Sequence, residues 1–167
     1  DSRAPAALAK QLGQEKISFV RNRLMLAVLR LKARDATQPL LQDVSQGAGD
    51  RKKGTGWAAA EHLADIGDPD AIEPLIAMFD VKEAWELVLY ALSRSFDGTI
   101  TQSSEYRLIP DKGGALKKHS IHELPPVPEI GKAWSEFWKA NKAKYPWKQD
   151  VHALRGTAPG TGGAGEK

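Results

Sequence analysis

The stretch AAAEHLADIGDPDAIEPLIAMF, from Ala58 to Phe79, decides the fold. Ala59, Ala60, Leu63 and Ile66 recur at i, i+3/i+4 spacing, which places them on one face of a helix. Gly67 suits the end of that helix, because glycine reaches left-handed backbone angles without a Cβ clash. Asp70 is positioned to cap a second helix by accepting from a free amide in its first turn. Ala71, Ile72, Leu75, Ile76 and Phe79 give that helix an apolar face of its own. Pro74 falls near its start, where a missing amide costs least. The stretch reads as helix, turn, helix, and it is not rich in catalytic residue types.

The same plan stands earlier, in VRNRLMLAVLRLKARDATQPLLQDV, Val20 to Val44. Laying Pro39 on Pro74 brings Asp35 onto Asp70, Ala36 onto Ala71, Leu40 onto Leu75, Leu31 onto Ile66 and Val28 onto Leu63, a period of 35 residues. Self-similarity of this kind marks a helical solenoid. The spacing predicts that Leu26, Leu29, Leu63, Ile66, Leu75, Ile76, Leu89 and Leu92 are buried, and that Asp35 caps its helix as Asp70 does. EAWELVLYALSRSF, Glu83 to Phe96, is a further first helix, with Leu92 in the place of Leu63.

Residues 97–130 carry Gly98, Pro110, Gly113, Gly114, Pro125, Pro126 and Pro128, and no helix runs through such a set. An inserted loop is expected there, with a short β-hairpin at GTITQSSEYRLI. IGKAWSEFWKANKAKY, Ile130 to Tyr145, closes the chain as a helix with Trp134, Phe137 and Trp138 on one stripe, a cap for the last repeat. The expectation is an all-α short solenoid of helical hairpins over residues 1–147. An extended Gly-rich tail, too poor in apolar residues to fold alone, follows at 148–167.

AAEHLADIGDPDAIEPLIAMF resembles the HEAT-like repeat of bacterial HEAT-repeat proteins, including the branch related to phycobilisome lyases. Ala59, Ala60, Leu63, Ile66, Gly67, Asp68, Pro69, Ala71, Pro74, Leu75 and Ile76 carry the match. The earlier unit lacks the Gly-Asp-Pro turn. AWSEFWKANKAKYPW is similar to the Trp-rich last helix that often closes such proteins. The resemblance implies an α-solenoid that binds protein. Within that family, deoxyhypusine hydroxylases hold iron through repeated His-Glu pairs. This chain has Glu61-His62 in reverse order and His122-Glu123 in the expected loop, so that activity is not carried over.

No apolar run approaches the ~20 residues that span a bilayer. The sequence has no cysteine, which excludes disulfides, thiolate zinc sites and thiol nucleophiles. The chain begins at Asp1; a removed leader would make the protein an exported one. The net charge of +3 covers a segregation. Residues 1–56 hold eleven Lys/Arg against five acids, residues 57–86 eight acids against Lys82 alone, and residues 112–148 eight Lys against three Glu. The acidic middle would repel phosphate and argues against nucleic acid.

These features point to a non-catalytic protein-protein interaction module, an accessory or scaffold subunit of a larger assembly, with no metal and no cofactor. The candidate contact residues are Lys112, Lys117, Lys118, His119 and His122 of the insert, joined by Trp147 beyond the last helix as an aromatic anchor. The alternative is an enzyme or metal/cofactor protein that uses His119, His122 and Glu123. Two imidazoles and a carboxylate can ligate a metal, but only where the backbone makes them converge.

Overall fold

The computed structural model describes residues 4–46 and 55–145. Helices dominate, with one small antiparallel sheet. Helix α1 (Ala4–Gln14) leads to α2 (Ser18–Arg30), a single 3-10 turn (Arg34–Ala36) and α3 (Thr37–Ser45). Helix α4 (Thr55–Ile66), a second 3-10 turn (Pro69–Ala71) and α5 (Ile72–Ala77) repeat the sequence of elements. Then follow α6 (Trp85–Phe96), strands β1 (Tyr106–Pro110) and β2 (Leu116–Ser120), and α7 (Val127–Asn141). Helix α4 packs between α3 and α6, α1 lies across α2 and the first 3-10 turn, and α7 packs on α5 and β1.

The core runs through every one of these layers. Val28, Leu40, Leu63, Leu75, Leu92 and Trp134 are all buried. The expected core is confirmed at Leu63, Ile66, Leu75, Leu89 and Leu92, while Leu29 and Ile76 are half-buried. Leu26 is a correction: it is 44% exposed. The apolar pattern of α2 runs around the helix, and the inner face belongs to Met25 and Val28, so periodicity alone picked the wrong side.

The capping expectation is also corrected. Asp68, not Asp70, caps the second unit: its carboxylate accepts from the Asp70 N–H at 3.1 Å. The helix start is a 3-10 turn beginning at Pro69, so the cap sits two residues earlier than an α-helix opening at Ala71 would place it. Asp70 is exposed and pairs with Arg34. Asp35 makes no cap either; the residue in the capping position of the first unit is Ala33, which has no side-chain oxygen to offer.

The inserted segment is ordered and part of the core. Ile100, Leu108 and Ile109 are buried, and Ser93 of α6 accepts from the Leu108 N–H through its Oγ at 2.9 Å. The hairpin lies later than GTITQSSEYRLI: Tyr106 pairs with Ser120 and Pro110 with Leu116. Its turn is built on Asp111, whose carboxylate accepts from the Gly113 and Ala115 N–H groups, each at 2.9 Å. Helix α7 begins at Val127, earlier than Ile130, because Pro128 stands in the first turn, where no amide is needed. Gly131 lets α7 approach closely: a Cβ there would lie 3.1 Å from that of Phe79. Trp134, Phe137 and Trp138 surround Phe96 at the end of α6, with ring centroids 5.3, 5.5 and 6.5 Å from it. Tyr145 closes the group at 4.8 Å from Phe96.

Candidate functional site

The hairpin and α7 bound an open groove. Ile109, Ile130, Ala133 and Phe137 give it an apolar bed, and Lys112, Lys117 and His119 rise on the hairpin side. Strand geometry explains the selection. Alternate residues of a strand point to opposite faces, so Lys117 and His119 share the groove face and Lys118 does not. Lys118 instead lies over the Tyr106 ring, 4.3 Å from its centroid, and 3.9 Å from Asp97. Hydrogen bonds from Thr99, with help from Lys118, hold the Asp97 carboxyl below its ordinary value. His122 stands in the exposed turn after β2, outside the groove.

Of the candidate residues, Lys112, Lys117 and His119 are therefore brought together, and Lys118 and His122 are not. Trp147 lies outside the described residues. Lys117 reaches Asp111 at 2.9 Å, and this contact, with the Ala115 and Gly113 amides, holds the Asp111 carboxyl below the usual range. The opposite wall has mixed charge. Glu129, Lys132 and Glu136 of α7 line it, and Lys132 and Glu136 approach to 3.9 Å.

No group of three His, Asp or Glu side chains able to hold a metal is gathered among the described residues, and this includes His119, His122 and Glu123. His119 lies in β2 on the groove face, whereas His122 and Glu123 lie in the turn that follows, outside the groove.

Sequence reasoning missed two buried polar clusters. Arg21 of α2 forks onto Asp43 of α3, with Nε 2.8 Å from one oxygen and Nη2 2.7 Å from the other. Its Nη1 also donates to the carbonyls of Leu12 and Glu15, at 2.9 Å for Glu15. One guanidinium thus ties α1, α2 and α3. Burial pushes the Asp43 carboxyl up, and Arg21 opposes that shift. The signal was an Arg and an Asp set among apolar residues, which periodicity reads as surface. The second cluster sits between α4 and α6. Arg94 grips Asp65 at 2.8 Å and lies 3.5 Å from Glu61. Beside them His62 is buried with Nδ1 unpartnered, and burial lowers its pKa. The Tyr90 ring lies between Trp57, at 5.5 Å, and the Arg107 guanidinium, at 5.4 Å.

With this geometry in hand, the match to known families falls where the unit is most regular. The family described as PBS lyase HEAT-like repeat matches residues 57–80. The chain carries a HEAT-like repeat. The matched residues cover most of α4, the Gly67-Asp68-Pro69 turn, α5 and a third 3-10 turn, Met78–Asp80. The HEAT-like repeat and the mostly helical architecture agree. The comparison with curated proteins finds no match, and neither does the comparison with solved structures. No helix among the described residues is long and apolar enough to cross a membrane.

Proposed function

We propose that the helix pairs form a short α-solenoid closed by the Trp-rich α7, and that it serves as a non-catalytic docking module for another protein, an accessory or scaffold subunit of a larger assembly. The observation that carries this reading is the groove between hairpin and α7, an apolar bed with Lys112 and Lys117 exposed along one lip. HEAT-like repeats often mediate protein interaction, which supports the same reading. The partner contributes an extended or helical segment whose apolar side chains settle on Pro125, Ala133 and Ala140, above the buried Ile130 and Phe137, and whose carboxylates face Lys112 and Lys117. Charge on the lip steers the encounter, and buried apolar area holds the complex. Trp147, which lies outside the described residues, is the proposed aromatic anchor.

The test is recovery of the native complex with the full tagged chain, followed by mass measurement. Lys112→Glu with Lys117→Glu changes two exposed side chains, and circular dichroism checks that the fold survives the loss of the Lys117–Asp111 contact. It should lower recovery of the complex by about tenfold at low salt, and the difference should shrink as salt rises. A lone 18.2 kDa species under mild conditions would count against the module. Undiminished recovery with the double variant would move the contact elsewhere on the helices.

A further inference from the structure

Helix α2 carries on its outer side what a helix normally hides. Phe19, Arg23, Leu26 and Arg30 follow one another at i, i+4, i+7 and i+11 and form one stripe. Val20, Ala27 and Leu31 run beside it. Phe19 is 69% exposed, and Leu26 and Leu31 are nearly half exposed. Ile17, just before the helix, stands out as far. Among the described residues, the large exposed apolar side chains gather here, with only Ile121 and Tyr145 elsewhere.

The repeat plan does not require this surface. Moving on by the 35-residue period, Val20 becomes Thr55, Arg23 becomes Ala58, Leu26 becomes Glu61 and Arg30 becomes Asp65. The second unit therefore presents small and acidic residues along the same row and packs as well. The inner face of α2, with Met25 and Val28, already supplies its share of the core. Phe19, Val20 and Leu26 add nothing to that, whereas Leu31 stands where the second unit has the buried Ile66.

Charge indicates what would cover the row. No acidic residue occurs between Glu15 and Asp35, while Lys16, Arg23 and Arg30 all stand exposed on or beside it. The Arg23 guanidinium lies 5.3 Å from the Phe19 ring centroid, which orders it as a planar fork suited to a carboxylate. Aromatic and Arg side chains side by side are the usual anchors of a protein interface. The exposed residues come from a single helix and its lead-in, a ridge and not a plane, which favours a protein groove or helix over a lipid surface.

We infer that the outer face of α2 is a second docking surface, separate from the hairpin groove, and that it takes an amphipathic helix whose apolar stripe is flanked by Asp or Glu. The partner helix lies along α2, whose length of about 20 Å accommodates some three to four turns. Its apolar residues cover Phe19, Leu26 and Leu31, and its carboxylates meet Arg23 and Arg30.

The full chain is titrated with two synthetic fluorescent helices of about 18 residues, identical in their Leu stripe and flanked either by Glu or by Lys. Vesicles of phosphatidylglycerol and phosphatidylcholine are run in parallel, with sedimentation of the chain alone. The Glu-flanked helix should bind, and the Lys-flanked one about tenfold more weakly or not at all. Phe19→Ser with Leu26→Ser, and separately Arg23→Glu with Arg30→Glu, should each weaken binding of the Glu-flanked helix by about tenfold, with unchanged circular dichroism. Equal binding of both helices, or binding that neither double variant changes, overturns the inference. So does vesicle binding without helix binding, which would make the face a lipid contact. Self-association abolished by the same variants would assign the face to a second copy of the chain.

Discussion

Lys32 and Gly67 stand 35 residues apart at the same place in their units, and both have positive φ, 46° and 72°. The first unit thus makes the same turn as the second without the glycine. The parallel continues: both turns lead into a 3-10 segment, Arg34–Ala36 and Pro69–Ala71, which also stand 35 residues apart. The units differ in how the turn is held. Asp68 caps the second and is itself gripped by the first, through Thr37 Oγ1 at 2.7 Å and Arg34 Nε at 3.1 Å. The first unit has Ala33 at that position and uses the buried Arg21–Asp43 pair instead, where the second has Gly56 and Met78. One backbone path is compatible with two different sets of polar fastenings. The repeat is a property of the path and its apolar residues, not of its hydrogen bonds.

The largest break should come at Asp43. Asp43→Ala leaves the Arg21 guanidinium buried without its anion, and stability should drop by about 3–5 kcal/mol. Urea denaturation measures it. Replacing both partners, Arg21→Met with Asp43→Leu, should recover much of that loss, since apolar side chains then fill the space and no charge is left buried. A double replacement no better than the single one would show that the Arg21 bonds to the Leu12 and Glu15 carbonyls are what matter.

Asp68→Ala comes next, at about 2–3 kcal/mol, because it removes a cap and leaves Thr37 unpartnered. A double-mutant cycle with Thr37→Val sharpens the point. Coupling of about 0.5 kcal/mol or more would establish that the first unit holds the second through this carboxylate, and simple additivity would deny it.

The two turns predict opposite signs for related substitutions. Gly67→Ala should cost about 1 kcal/mol, because its φ of 72° suits glycine. Lys32→Gly should gain several tenths of a kcal/mol for the same reason, about 0.5 at most after the added freedom of the unfolded chain. Melting temperatures in paired samples resolve both. A destabilising Lys32→Gly would mean that the contacts of the Lys32 side chain outweigh the strain.

The smallest effect is a pH dependence confined to the second unit, where His62 has Ala27 as its counterpart. Burial lowers the His62 pKa below its ordinary 6.5, partly offset by Glu61 and Asp65 and reinforced by Arg94. The unfolded chain therefore takes up this proton more readily than the folded one. The stability is whole above about pH 6.5 and falls as pH drops from there toward the folded value. Urea midpoints from pH 7.5 down to 5 should decline, and His62→Gln should flatten the decline. An unchanged slope in the variant would assign the effect to other groups.

Much of the frame was legible in the sequence because burial repeats with the period of the helix. Leu63, Ile66, Leu75 and Leu92 were readable in this way, as were the helix end at Gly67 and the aromatic stripe of α7. Leu26 was not, since α2 is apolar on more than one side and spacing carries no information about which side faces a neighbour. The candidate site was half legible: composition flagged the lysines of the insert, but only the strand register separates Lys117 and His119 from Lys118.

By itself, then, the sequence determined the helix pairs, their 35-residue period and the basic character of the insert, all set by residues close along the chain. The tertiary structure alone decided that Thr37 grips Asp68, where Arg21 finds Asp43, and that Leu108 and Ile109 turn an apparent loop into core. These depend on contacts across tens of residues, from Arg21 to Asp43 and from Thr37 to Asp68, and such contacts exist only once the helices have packed.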